Sequence, residues 1–576
     1  MKNADVARVF NEVADLLEIQ GEDAFRVNSY RRVARTVADL ATDVSDIAAR
    51  GELEQLPGVG KGSASKIQEL LRTGRLALRE ELAAKVPVSL LELLEIPGLG
   101  PKKAALLWKE RGIQSLADLK AALAEDRLTG LKGFGAKSIE QIARGIDFLQ
   151  RSAGRTRLGD AWALAEELRA ALLAAPGVQR VEAAGSLRRA CETVGDLDLL
   201  CIADDGPRVI ARFTALPGVS EVLAAGETKG SVRFGLSSGR TIQVDLRVVP
   251  AESFGAAWQY FTGSKEHNVR LRELAVRRGW SLNEYGLTEG EKVLASASEE
   301  EIYAALGLPW IPPELREDRG EFEPGAIPAD LLTVADIRGD LHMHTTASDG
   351  RNTIAEMADA ARQRGYAYIC VTDHSGSSFI AGGLDAKRLR QHIRAVRAAA
   401  TSLRNITVWV GSEVDILADG RLDYPDELLA ELDFVTASIH AGMGRDEEAN
   451  TQRTLAAIRN PYVNCIGHPT GRLINERAAM PIDIDALARE DARTGKAVEI
   501  NAHPYRLDLN DRHVRRAREL AATIVISTDA HATDQLDLIM FGVLTARRGG
   551  LRRGDVLNTR SVEEVQAFVA AKRRRV

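Results

Sequence analysis

Gly185-Ser186-Leu187-Arg188-Arg189-Ala190-Cys191-Glu192-Thr193-Val194-Gly195-Asp196-Leu197-Asp198-Leu199-Leu200 is the stretch from which the first half of the chain can be read. Asp196 and Asp198 stand two apart in an apolar run that continues to Ile202, which predicts a strand. Side chains at i and i+2 of a strand share a face, so both carboxylates look the same way. Neighbouring like charges repel unless a cation neutralises them. Mg²⁺ or Mn²⁺ suits the pair, since hard cations take one or two carboxylates together with substrate phosphates. In Thr241-Ile242-Gln243-Val244-Asp245-Leu246-Arg247-Val248, Val244, Leu246 and Val248 alternate as a buried face and Asp245 points the other way. Three acids on neighbouring strands can hold a two-metal site for phosphoryl or nucleotidyl transfer. Gly185-Ser186 offers a tight backbone, and Arg188 and Arg189 offer cationic donors, for an anion. A surface hairpin with chance acids is the alternative; the turn, the arginines and the third acid together weigh against it.

At 576 residues the chain has room for several units, about four at roughly 150 residues each. Charged residues make up 27% and hydrophobic ones 45%, an ordinary globular balance. A net charge of -6 does not advertise nucleic-acid binding, but local patches such as Arg26 to Arg35 decide phosphate contacts. Cys191, Cys201, Cys370 and Cys465 form no CxxC pair and are expected to be reduced thiols of a cytoplasmic protein. No apolar run approaches the length of about 18 residues that a membrane span needs. Nine of the ten histidines follow residue 339, so the chain changes character there.

The first 150 residues have helical periodicity, with Val6, Val9, Phe10, Val13, Leu16 and Leu17 as one stripe. A short pattern then recurs: Leu56-Pro57-Gly58-Val59-Gly60-Lys61, Ile96-Pro97-Gly98-Leu99-Gly100-Pro101-Lys102 and Leu131-Lys132-Gly133-Phe134-Gly135-Ala136-Lys137. Each is a glycine turn leading into an amphipathic helix. The free N–H groups of that helix can meet a phosphate. After Trp310-Ile311-Pro312-Pro313, the stretch Glu314-Leu315-Arg316-Glu317-Asp318-Arg319-Gly320-Glu321 is charged, aperiodic and followed by Pro324, Gly325 and Pro328, so it is expected to be a linker.

From residue 339 short apolar strands end in potential ligands. Asp340-Leu341-His342-Met343-His344 is followed by Asp349; later strands end at His374, Glu413, His440 and His468, and Ser527-Thr528-Asp529-Ala530-His531 closes the series. In barrel folds active sites collect at the C-terminal ends of strands. His392, His503 and His513 fall outside this pattern and are expected at the surface or in support of the others; the basic tail at 571–576 is expected to be a solvated end.

The Gly185 to Leu200 stretch, Asp245, and the block Tyr260-Phe261-Thr262-Gly263-Ser264-Lys265-Glu266-His267-Asn268 with Arg272 resemble the polymerase core of family X DNA polymerases. The resemblance implies catalytic metal binding by Asp196, Asp198 and Asp245. It implies that Ser186 and Arg189 hold the triphosphate, that Tyr260 and Phe261 flank the sugar, and that Gly185, Gly195 and Gly263 also belong to the nucleotide-binding set. Asn268 would meet the incoming base and Arg272 the template strand. The glycine turns resemble helix-hairpin-helix motifs, implying DNA-backbone contacts at Gly58, Gly60, Lys61, Gly98, Gly100, Lys102, Gly133 and Gly135, with Tyr30 at a 5′-phosphate pocket. Lys66 matches the family's lyase lysine, which forms a Schiff base with an abasic sugar; a phosphate-binding lysine is the alternative, and Gly62 stands where a basic companion is expected.

The last part resembles the PHP (polymerase and histidinol phosphatase) domain, a distorted β/α barrel. The resemblance implies a cluster of up to three Zn²⁺ or Mn²⁺ ions on His342, His344, Asp349, His374, Glu413, His440, His468, Asp529 and His531. The expected architecture is multidomain α/β: a helix-hairpin-helix lyase-like domain at 1–82, a second helix-hairpin-helix subdomain at 83–152, a nucleotidyltransferase palm at 153–249, a small α+β nucleotide-selection subdomain at 250–318, a linker at 319–338 and the PHP barrel at 339–576. The implied function is gap-filling DNA synthesis with a 3′-5′ exonuclease in base excision repair, on gapped or nicked DNA with dNTPs, by a monomer free of membranes. A template-independent nucleotidyltransferase and a weakly catalytic DNA-end binding factor are the rivals.

Overall fold

The computed structural model describes residues 3–573 except 39, 41, 42, 95, 97, 153, 237 and 238. Pro97 of the second glycine turn and the tail residues 574–576 thus lie outside the described residues. The chain forms two compact units, the first spanning Met1–Ala153 and the second carrying the rest apart from two short loops.

In the first unit every described regular element is helical. The opening stripe is buried as the periodicity predicts: Val6, Phe10 and Val13 are inaccessible in the helix Asn3–Gln20. The three glycine turns are built alike. Val59 N–H donates to Leu56 O, Leu99 N–H to Ile96 O and Phe134 N–H to Leu131 O, all at 3.0 Å. Val59, Leu99 and Phe134 are the buried plugs, and helices begin at Lys61, Pro101 and Ala136. Gly58, Gly98 and Gly133 have φ of 76°, 88° and 86°, which only glycine adopts freely.

The second unit begins with a five-stranded sheet. Its strands are β1 (Val178–Ala183), β2 (Asp196–Ala203), β3 (Val219–Ala225), β4 (Lys229–Gly235) and β5 (Thr241–Val248), in the order β1-β2-β5-β4-β3. β2 and β5 run parallel, and the other neighbours are antiparallel. A small α+β region follows, with helices Phe254–Thr262, Lys265–Val276 and Glu299–Ala305 packed on a three-stranded antiparallel sheet.

The last region is a parallel seven-stranded sheet whose spatial order follows the chain: β6 (Gly339–Met343), β7 (Tyr368–Val371), β8 (Thr407–Asp415), β9 (Phe434–Ser438), β10 (Cys465–Ile466), β11 (Ala497–Asn501) and β12 (Thr523–Ser527). Its two edges meet: His344 N–H donates to Ala530 O at 2.8 Å and Asp529 N–H to His342 O at 3.0 Å. The nearly closed barrel explains the apolar runs, since parallel strands are buried on both faces.

The expected linker is not a solvated spacer. Arg316 is fully buried and binds Glu299 through two bonds of 2.6 and 2.9 Å. Glu314 pairs with Arg547 at 2.8 Å, Arg319 with Asp511 at 2.9 Å and Glu321 with His267 at 2.8 Å. Charge in sequence usually signals solvent, but fork-shaped guanidinium–carboxylate pairs make burial tolerable. The five-stranded sheet and the barrel also share one hydrophobic core: Ile474, Leu507 and Phe541 cluster with Leu158, Leu164 and Leu168.

Candidate active sites

The parallel register sets Asp198 directly opposite Asp245, and Asp196 opposite Gln243. Asp196 is exposed while Asp198 and Asp245 are half-buried, so the three acids form a graded edge rather than a sealed pocket. Gly185, at φ 59°, leaves the room for Asp198: a Cβ there would stand 2.5 Å from Asp198 Oδ2. Ala184 N–H donates to Asp198 O at 2.9 Å, tying the turn to the strand. Burial, then the charges of Asp196 and Asp245, push Asp198 up to about 7. Arg247 and Lys229, whose Nζ is 3.5 Å from Asp245 Oδ2, offset only part of this negative charge. The donor set therefore fits Mg²⁺ or Mn²⁺.

Ser186 lies in the short helix Gly185–Arg188 beside this edge, and Gly195 directly precedes Asp196. The two arginines part ways. Arg188 is held by Glu299 at 2.7 and 2.8 Å and lies 3.4 Å from the centre of the Trp258 ring, so it is a structural clamp rather than an anion donor. Arg189 donates to Glu317 Oε1 at 3.1 Å and to the carbonyl of Thr262, beside Gly263. Tyr260 and Phe261 meet edge to face at 5.1 Å. Asn268 donates one amide N–H to Tyr260 O at 2.7 Å and accepts from Gln259 Nε2 at 2.7 Å, which fixes the orientation of its amide. Arg272 lies half-buried on the helix Lys265–Val276.

In the helical unit, Lys61 and Lys102 are exposed at the first turns of the helices after Gly60 and Gly100, as a phosphate contact needs. The helix after Gly135 opens with Ala136. Lys66 is half-buried and donates to Gly62 O at 3.2 Å; Tyr30 packs on Phe10 at 6.0 Å.

The nine barrel residues converge. Glu413 lies at the centre: its carboxylate is 2.8 Å from His374 Nδ1, 2.8 Å from His468 Nε2, 3.2 Å from His440 Nε2 and 3.5 Å from His342 Nε2. Asp529 Oδ1 is 3.0 Å from His344 Nε2. Asp349 Oδ2 is 3.4 Å from His531 Nε2 and 3.5 Å from His374 Nε2. Three overlapping groups have metal-like spacing: His344, Asp349, His374 and His531; His342, His344 and Asp529; and His374, Glu413 and His440. His342 Nε2, His344 Nδ1 and Glu413 Oε2 are buried without a hydrogen-bond partner. Groups so costly to leave unsatisfied fit bound cations. Burial would lower the His374 imidazole, yet the carboxylates of Glu413 and Asp349 push it up to about 11. Burial and the neighbouring His531 and His374 push His344 down to about 4. His468 and Asp529 adopt φ of 25° and 54°, strain placed at the site itself.

Sequence reasoning missed the residues behind these. Glu499, fully buried, accepts from His342 Nδ1 at 2.7 Å and from His468 N–H at 2.6 Å. Asp415 bonds His440 Nδ1 and the hydroxyls of Ser377 and Ser378. His392, expected at the surface or in support, is buried, 3.0 Å from Asp373. An acid inside an apolar strand was the available signal for Glu499. Carboxylates behind ligating imidazoles orient the rings and fix the tautomer.

Comparisons with known proteins follow the same divisions. A helix-hairpin-helix domain matches residues 1–76, a SAM-like helix-hairpin-helix tandem 90–147, the DNA polymerase beta thumb 257–317 and the PHP domain 340–503. DNA polymerase lambda of Rattus norvegicus is 29% identical over 55% of this chain and 56% of its own length. A probable phosphatase of Thermoanaerobacter sp. (strain X514) is 28% identical over 41% of this chain and 96% of its own. The DNA polymerase/3′-5′ exonuclease PolX of Bacillus subtilis (strain 168) is 40% identical over 99% of both chains. That relative matches this chain along nearly its whole length, with the helix-hairpin-helix, polymerase beta thumb and PHP matches falling on successive regions, and the chain belongs to the PolX family, the family X DNA polymerases that carry a PHP domain.

Proposed function

We propose that the protein fills short gaps in duplex DNA by template-directed addition of dNTPs at Asp196, Asp198 and Asp245, and removes nucleotides from 3′ ends at the histidine centre. The observation that carries the reading is the register that sets Asp198 against Asp245 beneath Gly185, next to the helix that carries Ser186. Asp196, Asp198 and Asp245 would hold Mg²⁺ or Mn²⁺; the nine barrel residues would hold up to three Zn²⁺ or Mn²⁺ ions. Bound there, divalent cations neutralise charge on a transferring phosphoryl group and acidify an attacking hydroxyl or water.

The chain's own residues do the rest. Ser186 and Arg189 receive the triphosphate, which competes with Glu317 for the Arg189 guanidinium. The edge-to-face pair Tyr260 and Phe261 walls the sugar, with Gly263 beside Arg189. Asn268 meets the incoming base with its remaining amide N–H and Arg272 faces the template. Gly58, Gly60, Lys61, Gly98, Gly100, Lys102, Gly133 and Gly135 grip backbone phosphates without reading sequence. Lys66 is the candidate for Schiff-base removal of a 5′-deoxyribose phosphate, and Tyr30 for the 5′-phosphate pocket. The divisions of labour follow residues 1–82, 83–152, 153–249, 250–318 and 339–576, with 319–338 as a packed connection. The setting is base excision repair by a cytoplasmic monomer; no described helix is long and apolar enough to cross a membrane.

Incorporation of dNTPs on a one-nucleotide gap against blunt ends tests the reading. Template-matched filling of the gap is expected; equal, untemplated addition at blunt ends would favour a template-independent transferase.

A further inference from the structure

The loop after β11 brings His503, Tyr505 and Arg506 to the ligand-bearing end of the barrel, and none of the three belongs to the metal-spaced groups. Arg506 Nε lies 3.6 Å from Asp529 Oδ2, beside the centre. The loop is a tight turn, with Arg506 N–H donating to His503 O at 2.7 Å and Leu507 N–H to the same carbonyl at 3.0 Å. Tyr505 stacks on His503 at 5.0 Å and 21°, yet remains 41% exposed.

The other wall comes from a different domain. Arg157 belongs to the two-residue strand Thr156–Arg157, which pairs with Thr193–Val194 just before the catalytic strand β2. Its guanidinium lies 3.7 Å from the centre of the Tyr505 ring, steadied by an Nε bond of 3.0 Å to Asp160. The loop cannot drift from it: Pro504 packs so closely on Gly159 that a Cβ there would stand 2.6 Å away, and Leu507 is buried in the palm's core. The charged groups facing His503 are Asp529, His531, Arg506 and Arg157, so all of these share one neighbourhood.

Resting on the nuclease reading of the histidine centre, we propose that Arg157 and Arg506 hold phosphates of the strand being degraded, with Tyr505, stacked on His503 and beneath Arg157, holding the first guanidinium near the second. The palm then supplies a wall of the barrel's substrate channel. Guanidinium groups bind phosphate oxygens by charge-assisted bonds, and an aromatic face holds a guanidinium in place by cation–π attraction. A clamp for domain packing alone would need neither a second arginine against Asp529 nor an exposed tyrosine.

The test compares two substrates in Mn²⁺: a single-stranded oligonucleotide and thymidine 5′-p-nitrophenyl phosphate, which lacks the further phosphates and bases. The readout is the ratio of their kcat/KM values. Arg157→Ala should lower that ratio about tenfold, mostly through KM for the oligonucleotide, and Arg157→Lys should restore part of it. Photo-crosslinking of an oligonucleotide carrying 4-thiothymidine near its 3′ end, in EDTA, should map to the peptide containing Tyr505 in the wild type and weaken in Arg157→Ala. An unchanged ratio, including the case in which both substrates slow equally, would overturn the inference, as would crosslinks that avoid this loop. Wild-type protein that hydrolyses neither substrate would instead overturn the nuclease reading beneath it.

Discussion

Asp198 carries the heaviest load of any residue in the palm. It is half-buried, faces Asp245 in register and is pressed against a glycine that has no room for a side chain. Asp198→Ala should lower nucleotide incorporation by roughly a hundredfold or more, the scale of losing one preorganised electrostatic group. Gel-shift affinity for gapped duplex should stay near wild type, because the proposed backbone contacts lie in the helical unit. Glu299 tests a different chemistry. Burial opposes its ionisation, but Arg316 and Arg188 win and hold it well below its ordinary 4.5. A depressed carboxylate stabilises the fold fully above that value and loses its contribution as pH falls toward the folded value. Trp310, whose indole N–H donates to Glu299 at 3.0 Å, should report the resulting acid transition by fluorescence. Glu299→Gln should cost about 3–5 kcal/mol at neutral pH and flatten that dependence, because two buried guanidinium groups lose their counter-charge. At this scale the sequence displayed the metal-type residues, since they sit at strand ends in fixed short patterns. It did not display the partners of Glu499 and Asp415, His342 and His440, which lie 157 and 25 positions away.

At the scale of elements, the three glycine turns were legible because each repeats the same local chemistry: a left-handed glycine, an apolar plug and a helix start. Lys61→Glu or Lys102→Glu should weaken binding to all gapped duplexes alike and reduce its salt dependence, since phosphate contacts carry no sequence information. Affinity that fell for some sequences and not others, measured by fluorescence anisotropy across salt, would contradict this. Lys66 is reached by a narrower experiment. Borohydride should trap a covalent adduct of a 5′-deoxyribose phosphate end in wild type and not in Lys66→Ala; trapping that survives the substitution would assign the chemistry to another amine. The charged stretch at 314–321 was the element least legible. Its partners Asp511, Arg547 and Arg548 lie far along the chain, and nothing local distinguishes a buried ion-pair ladder from a solvated spacer.

Across the second unit, palm and barrel share a core, with Trp162 meeting Phe541 edge to face at 6.2 Å. Composition and spacing could identify each domain but not this packing, which depends on side chains brought together only by the tertiary fold. Phe541→Ala should cost about 3–5 kcal/mol, and palm and barrel should still melt in one calorimetric transition; two separated transitions in wild type would contradict a shared core. Shared packing does not merge the chemistry, because the three acids and the nine barrel residues are separate donor sets. The central claim is that one chain holds two distinct active sites, and the most direct measurement follows extension and degradation of the same labelled primer in one preparation. His344→Ala should abolish 3′-5′ degradation while gap filling continues, and Asp198→Ala should do the reverse. Mn²⁺ should support degradation better than Mg²⁺, which binds imidazole poorly. Loss of both activities in Asp198→Ala, with neither lost in His344→Ala, would contradict the claim.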